Sequence, residues 1–277
     1  MKLGVQGGQA YAYTGGKPFD PNLPCIVFVH GALHDHSVWT LLARWFAHHG
    51  HAVLALDLPG HSRSDGPPLD DVESTADWLL AVLDAAGVRE AAIVGHSMGS
   101  LIGLEAAARA PERITRLAMV GTAYPMKVSD ALMNTARETP LRAIDMVNAF
   151  SISTTAAKPS FPGPGMWLHG SNRVLMRHTQ SVAQARFGIN LFAHDFGVCD
   201  RYANGLQAAA AVRCPVTFIL GERDQMTAAK ATREFAAALG ARIVTLPSGH
   251  SLMAEVPDAV LEVLRGTWLQ RPAPAHA

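Results

Sequence analysis

Gly95-His96-Ser97-Met98-Gly99 sets a serine between two glycines at the spacing G-x-S-x-G. The apolar run Ala91–Val94 precedes it, and Ser97–Ala110 follows as a helical pattern stopped by Pro111. A serine on a sharp strand-to-helix turn is lifted clear of the sheet, and the small neighbours let the chain turn that tightly. The helix N-terminus adds a partial positive charge beside it. A serine hydroxyl is a weak nucleophile at neutral pH, so the chemistry needs a base. His250, in Pro247-Ser248-Gly249-His250, follows the apolar run Arg242–Leu246, where a loop leaves the carboxyl end of a strand. A base of this kind needs an acid to fix its tautomer. Asp224, in Gly221-Glu222-Arg223-Asp224, follows the strand pattern Val216–Leu220; Glu222 is its rival. After Leu117–Val120, the other place for an acid, Gly121–Pro125 offers no carboxylate. Acyl transfer also needs donors for the developing oxyanion. The backbone N–H groups of Ala32, after His30-Gly31, and of Met98 suit that task, whereas His30 reads as a residue that hydrogen-bonds its loop.

These residues need a scaffold that delivers loops to one edge. Short apolar runs at Cys25–Val29, Ala52–Leu56, Ala91–Val94, Leu117–Val120, Val216–Leu220 and Arg242–Leu246 read as strands. Helical patterns at Trp39–His49, Ser74–Ala86 (Ser74 as N-cap), Ser97–Ala110, Ala228–Leu239 and Pro257–Leu269 alternate with them. Residues 10–16 add a strand and a Gly-Gly turn. Strands without polar alternation, separated by helices, specify a mostly parallel central sheet with helices on both faces. From Tyr124 to Val212 the rhythm breaks into helical stretches around a Pro/Gly-rich loop, Lys158–Gly165. The expected division is therefore core 1–123, a helical insertion 124–212 and core 213–277, with Arg271–Ala277 frayed.

Taken together, these pieces resemble the α/β-hydrolase superfamily over nearly the whole chain. The resemblance rests on His30-Gly31, Asp57-Leu58-Pro59-Gly60-His61-Ser62-Arg63-Ser64, Gly95–Gly99, Gly221–Asp224, and Gly249-His250 leading to Glu255-Val256-Pro257. The order Ser97, Asp224, His250 is the order of that family's triad. The resemblance implies the α/β-hydrolase fold, with the insertion as a helical cap over the site. A serine rather than an aspartate at the elbow disfavours haloalkane dehalogenase and epoxide hydrolase chemistry. Ser251 after His250 weakens carbon–carbon bond hydrolysis, where Trp is often found. Ala32 after His-Gly departs from cofactor-free perhydrolases, and no long Gly-rich oxyanion loop points to a lipase. What remains is a small-to-medium carboxylic ester, with cleavage of a diketone acid or mere ligand binding as alternatives. Arg173, Arg177 or Arg186 would have to meet the carboxylate of such an acid. Leu33, Trp167 and Met226 are the expected substrate contacts; Met133, Met146, Met166, Phe187, Phe192 and Phe196 offer further apolar surface.

Composition excludes other classes. Of 277 residues, 49% are hydrophobic and 17% charged, which disfavours disorder. Twenty-three basic residues balance twenty-three acidic ones, leaving no net field to draw nucleic acid or an anionic membrane. No apolar run reaches membrane-spanning length. The start lacks a secretory h-region, and three widely spaced cysteines suit reduced thiols, so a cytoplasmic protein is expected. Thirteen histidines form no HExxH pair or Cys/His cluster, so neither metal nor cofactor is expected. The expected partner is a small-molecule substrate, with oligomeric state open.

Overall fold

The computed structural model describes residues 1–153 and 165–268. Most of the loop Lys158–Gly165, and the tail Arg271–Ala277, lie outside them. Eight strands form one sheet: β1 (Lys2–Val5), β2 (Gly8–Tyr13), β3 (Cys25–Val29), β4 (Ala52–Leu56), β5 (Ala91–His96), β6 (Ile114–Val120), β7 (Val216–Gly221) and β8 (Arg242–Leu246). Their order is β1-β2-β4-β3-β5-β6-β7-β8. The first two strands run antiparallel, β2 pairs antiparallel with β4, and every later pairing is parallel.

The lack of alternation along the strands has a direct cause. Val27 and Val29 of β3 face one layer, with α2 (Val72–Ala85) and α3 (Met98–Arg109). Ile26 and Phe28 face the other, with α1 (Thr40–His48) and α11 (Pro257–Trp268). The central strands β3, β4, β5 and β7 are thus buried along their whole length, so both their sides must be apolar, while β1 and β8 at the sheet's edges are partly exposed.

Among the described residues, five helices stand between β6 and β7: α4 (Asp130–Glu138), α5 (Pro140–Ser151), α6 (Gly165–Phe187), α7 (Leu191–Arg201) and α8 (Gly205–Ala211). This insertion has a hydrophobic cluster of its own, with Ile144, Met176, Leu191 and Phe192. Its last helix, α8, instead buries Ala208 and Ala209 in the layer that holds α3. After β7 come a 3₁₀ turn (Ala229–Thr232), α9 (Arg233–Ala238) and, beyond β8, α10 (Leu252–Glu255).

Several boundaries differ from the sequence reading. The second helix is capped by Asp71, whose carboxylate accepts from Ser74 N–H at 2.6 Å; Ser74 lies inside the first turn. Both residue types are good N-caps, and the three-residue offset decides between them. The stretch read as a helix from Trp39 opens with a 3₁₀ turn at His36–Trp39. The helix read over Ala228–Leu239 divides into the 3₁₀ turn and α9. β1 carries no sequence signal beyond Leu3 and Val5, which it buries. Among the described residues, no helix is long and apolar enough to cross a membrane.

Candidate active site

Ser97 sits between β5 and α3 with φ 51° and ψ −119°. A non-glycine residue held at positive φ costs roughly 1–3 kcal/mol, so the surroundings must enforce it. They do so by close approach. A Cβ on Gly95 would collide with the backbone of Gly99 and Ser100, and one on Gly99 with the carbonyls of Val29 and His30. The Ser97 amide donates to Val120 O at 2.9 Å. A Cβ on Gly31 would fall 2.9 Å from His96 Nδ1 and 3.1 Å from Ser97 Cβ, so the His30-Gly31-Ala32 loop passes directly against the serine.

His250 follows β8, and Asp224 follows β7. Asp224 Oδ2 accepts from His250 Nδ1–H at 2.8 Å. The same oxygen accepts from Thr227 Oγ1 at 2.7 Å, while Oδ1 accepts the Met226 and Thr227 amides at 2.7 and 2.8 Å. Burial pushes this carboxyl up, but His250 and the Thr227 donors outweigh it and hold it down at about 2. Glu222, the rival acid, is exposed. His96 Nε2–H donates to the His250 carbonyl at 2.9 Å. Gly121, at φ 57°, leaves room for the His250 ring: a Cβ there would lie 3.3 Å from it. From the insertion, Ser151 O accepts the His250 and Ser251 amides at 2.9 and 3.2 Å.

Ser97, His250 and Ala32 line one cavity of about 280 Å³. That is just below the usual range for small-molecule sites, ~300–1,000 Å³. Much of its wall is thioether and aromatic, with Met126, Met146, Phe150, Met176, Phe196 and Met226. Met98 is the first residue of α3, so its amide stands at the helix N-terminus. Of the expected substrate contacts, only Met226 reaches the cavity wall. Leu33 is fully buried in the insertion's own hydrophobic cluster. Trp167 is 76% exposed on α6 and does not line the cavity. Phe192 and Met133 pack inside the insertion, and the Met166 side chain lies outside the described residues.

The three arginines considered for a carboxylate are engaged elsewhere. Arg173 and Arg177 bind Asp145, and Arg186 binds Asp65 and the carbonyls of Ser62 and Ser64. Lys127 lines the cavity, but its Nζ donates to Asp200 O at 2.6 Å. His30 donates from Nδ1 to Gly31 O (2.8 Å) and accepts Leu58 N–H at Nε2 (3.1 Å). Burial and the neighbouring His61 lower it to about 3, so it is a neutral loop tie. Asp35, His36 and Asp57 bring ligand-type atoms within 4.8 Å of one another. Their hydrogen bonds already serve the loop: Asp57 Oδ1 accepts from His36 N and Nδ1, and Asp35 accepts from Ser37 N.

Sequence reading missed Thr227, His96, Ser151, His34 and Asp195. Thr227 carries a faint signal, three residues after Asp224 in the same turn. The others act through partners that lie far away in sequence.

Comparison with known proteins agrees with this architecture. A family model described as the alpha/beta hydrolase fold matches residues 24–257. A Klebsiella pneumoniae protein named as a carbamate hydrolase, RutD, is 27% identical over 248 residues, covering 86% of this chain and 88% of its own. The (E)-2-((N-methylformamido)methylene)succinate hydrolase of Acinetobacter baylyi is 24% identical, covering 88% and 90%. Among solved structures, the enol-lactonase of Burkholderia xenovorans LB400 superposes with a TM-score of 0.82 at 23% identity, covering 98% of this chain and 100% of that one.

Proposed function

The chain belongs to the alpha/beta hydrolase fold family, and on that premise we propose that it is a serine hydrolase cleaving a small, neutral carboxylic ester through an acyl-enzyme. The observation that carries this reading is the buried Asp224–His250 hydrogen bond, with His250 and Ser97 lining one cavity. His250 Nε2 takes the Ser97 proton as Oγ attacks the ester carbonyl carbon. Asp224 keeps the other ring proton on Nδ1 and stabilises the imidazolium that forms. The Ala32 and Met98 amides receive the negative charge that develops on the carbonyl oxygen, and the α3 N-terminus adds its dipole. The imidazolium then protonates the departing alkoxide, leaving an acyl group on Ser97. Water, deprotonated by the same imidazole, attacks the acyl carbon; Ser97 leaves with the proton and the acid is released.

The named activities of the carbamate hydrolase and the enol-lactonase support carbonyl hydrolysis at a heteroatom. The insertion serves as a cap, a reading supported by Met146, Phe150 and Met176, which line the cavity that Ser97 also lines. Cleavage of a diketone acid recedes, because each arginine that would bind its carboxylate is already paired. The test is fluorophosphonate labelling and hydrolysis of p-nitrophenyl esters of increasing acyl length, for wild type beside Ser97→Ala. Labelling and turnover that both vanish in Ser97→Ala, with short acyl chains preferred, are expected. A wild type that does not label would make it a ligand-binding member of the fold instead.

A further inference from the structure

The loop that carries the Ala32 amide is held by the insertion. Leu33, the next residue, has φ 58°, a region that a leucine resists because its Cβ crowds the backbone. Its N–H donates to Asp195 Oδ2 on α7 at 2.9 Å, across 162 positions of sequence. Its side chain is buried among Ile144, Phe192 and their neighbours in the insertion. One residue on, His34 Nε2–H donates to Asn172 Oδ1 on α6 at 2.8 Å. Asn172 Nδ2 donates in turn to Asn148 Oδ1, which fixes the amide so that its oxygen faces His34. Two helices of the insertion therefore grip two consecutive residues of the loop.

Asp195 is itself locked. The oxygen that receives Leu33 N–H also accepts His61 Nε2–H at 2.9 Å, and His61 Nδ1–H donates to Pro59 O at 3.0 Å. With both ring nitrogens donating, His61 is an imidazolium. Burial opposes that charge, but the facing Asp195 carboxylate outweighs it and raises the histidine. Asp195 Oδ1 meets His194 Nδ1 at 3.2 Å. A buried ion pair is a poor way to add stability compared with apolar packing. Here it fixes a carboxylate on the amide that follows the oxyanion donor.

We propose that Asp195 is a positioning residue for catalysis: its carboxylate, fixed by His61, holds Leu33 and so aims the Ala32 amide at the oxyanion, making that donor dependent on the docked insertion. The proposal rests on the serine-hydrolase reading above. Asp195 does not line the cavity and acts only through the loop.

The test compares wild type, Asp195→Asn and Asp195→Ala on the best p-nitrophenyl ester, with active serines counted by fluorophosphonate titration. An alkyl boronic acid, whose tetrahedral adduct on Ser97 places an oxygen at the oxyanion position, is measured alongside. Losing one oxyanion donor costs about 10²–10³ in kcat. Asp195→Ala is expected to lose about 10–10²-fold in kcat per titrated serine and a like factor in boronate affinity, with KM moving less than about threefold. Asp195→Asn keeps an oxygen for Leu33 N–H and should lose only about 3–10-fold. Wild-type kcat and boronate affinity in Asp195→Ala, even with a lowered Tm, would reduce the residue to a structural role and overturn the proposal. Should Asp195→Ala not fold, Asp195→Asn decides, and wild-type kcat there overturns it equally. A wild type that neither labels nor turns over sinks the serine-hydrolase reading and this proposal with it. A wild type that labels and turns over, matched by Asp195→Ala in kcat per titrated serine, sinks this proposal alone.

Discussion

Asp224 makes four hydrogen bonds through two oxygens, and only one of them goes to His250. The other three keep the carboxylate ionised and fixed while His250 becomes charged. Asp224→Asn leaves this geometry nearly intact but favours the wrong histidine tautomer. It is expected to lower kcat about 10⁴-fold with little change in Tm; steady-state kinetics and a melting curve check it. Thr227→Val removes the hydroxyl donor at 2.7 Å while keeping the shape. A net hydrogen bond to a charge is worth about 1.5–3 kcal/mol, so kcat should fall about tenfold, with KM unmoved. A Thr227→Ser variant that recovers the lost rate would assign the effect to the hydroxyl. At this scale the proposed serine, acid and base are read from sequence, because type, order and neighbouring elements agree on Ser97, Asp224 and His250, and the structure joins the last two by a hydrogen bond. Thr227 is not, since a threonine in a turn has many ordinary uses. Asp195 is less so: its meaning lies in Leu33 and His61, which are 162 and 134 positions away.

The elbow is a property of elements, not of the serine alone. Gly99 lets α3 start against the end of β3, and an added Cβ would meet backbone carbonyls that cannot rotate away. Gly99→Ala should therefore destabilise by about 1–3 kcal/mol or more, read from the urea midpoint, and lower activity by tilting the turn. The central parallel strands were legible because burial on both faces leaves a run with few polar positions. The turn of helix where Asp71 rather than Ser74 caps was not, since local chemistry permits either. The seam between α7 and the Asp57–Ser64 loop has a pH dependence that can be signed. Burial raises the Asp195 carboxyl, but His61 and His194 outweigh it and hold it well below the ordinary value. Its stabilisation is full above about pH 4 and is lost as pH falls. His61 is raised, so its share is full below about 6.5 and is lost as pH climbs through the raised value. Around the pair, His30 stays neutral beside the His61 charge and Asp57 favours that charge, while His194 faces both Asp195 and Asp70. The Tm advantage of wild type over Asp195→Asn should peak between about pH 4 and 6.5 and shrink on either side. A difference that stays flat from well below about pH 4 to well above about pH 6.5 would show that the pair is not ionised.

For the whole molecule, the balance of charge and the wall of the cavity point the same way. Equal numbers of acidic and basic residues give no long-range attraction for an anion. Inside, thioethers and aromatic rings make up much of the wall that the proposed acyl group would meet, and such groups adapt to shape without supplying hydrogen bonds. Among the described residues lining the cavity, Lys127 is the permanent cation, and a backbone carbonyl already holds its ammonium. A substrate carboxylate would therefore lose water for, at most, the remaining donors of an ammonium already tied to Asp200 O. Even partial desolvation of such a group costs several kcal/mol, and 2.7 kcal/mol is already about a hundredfold. An ester whose acyl chain ends in carboxylate should thus show kcat/KM about 10²-fold below its neutral methyl-ester analogue of equal length. Met146→Arg, which places a guanidinium on the cavity wall, should narrow that gap by raising turnover of the anionic ester and lowering that of the neutral one. Parallel progress curves for the two substrates on both proteins measure this. Equal rates on wild type would mean that a cation serves the carboxylate after all, and the cavity would then be selecting for charge rather than against it.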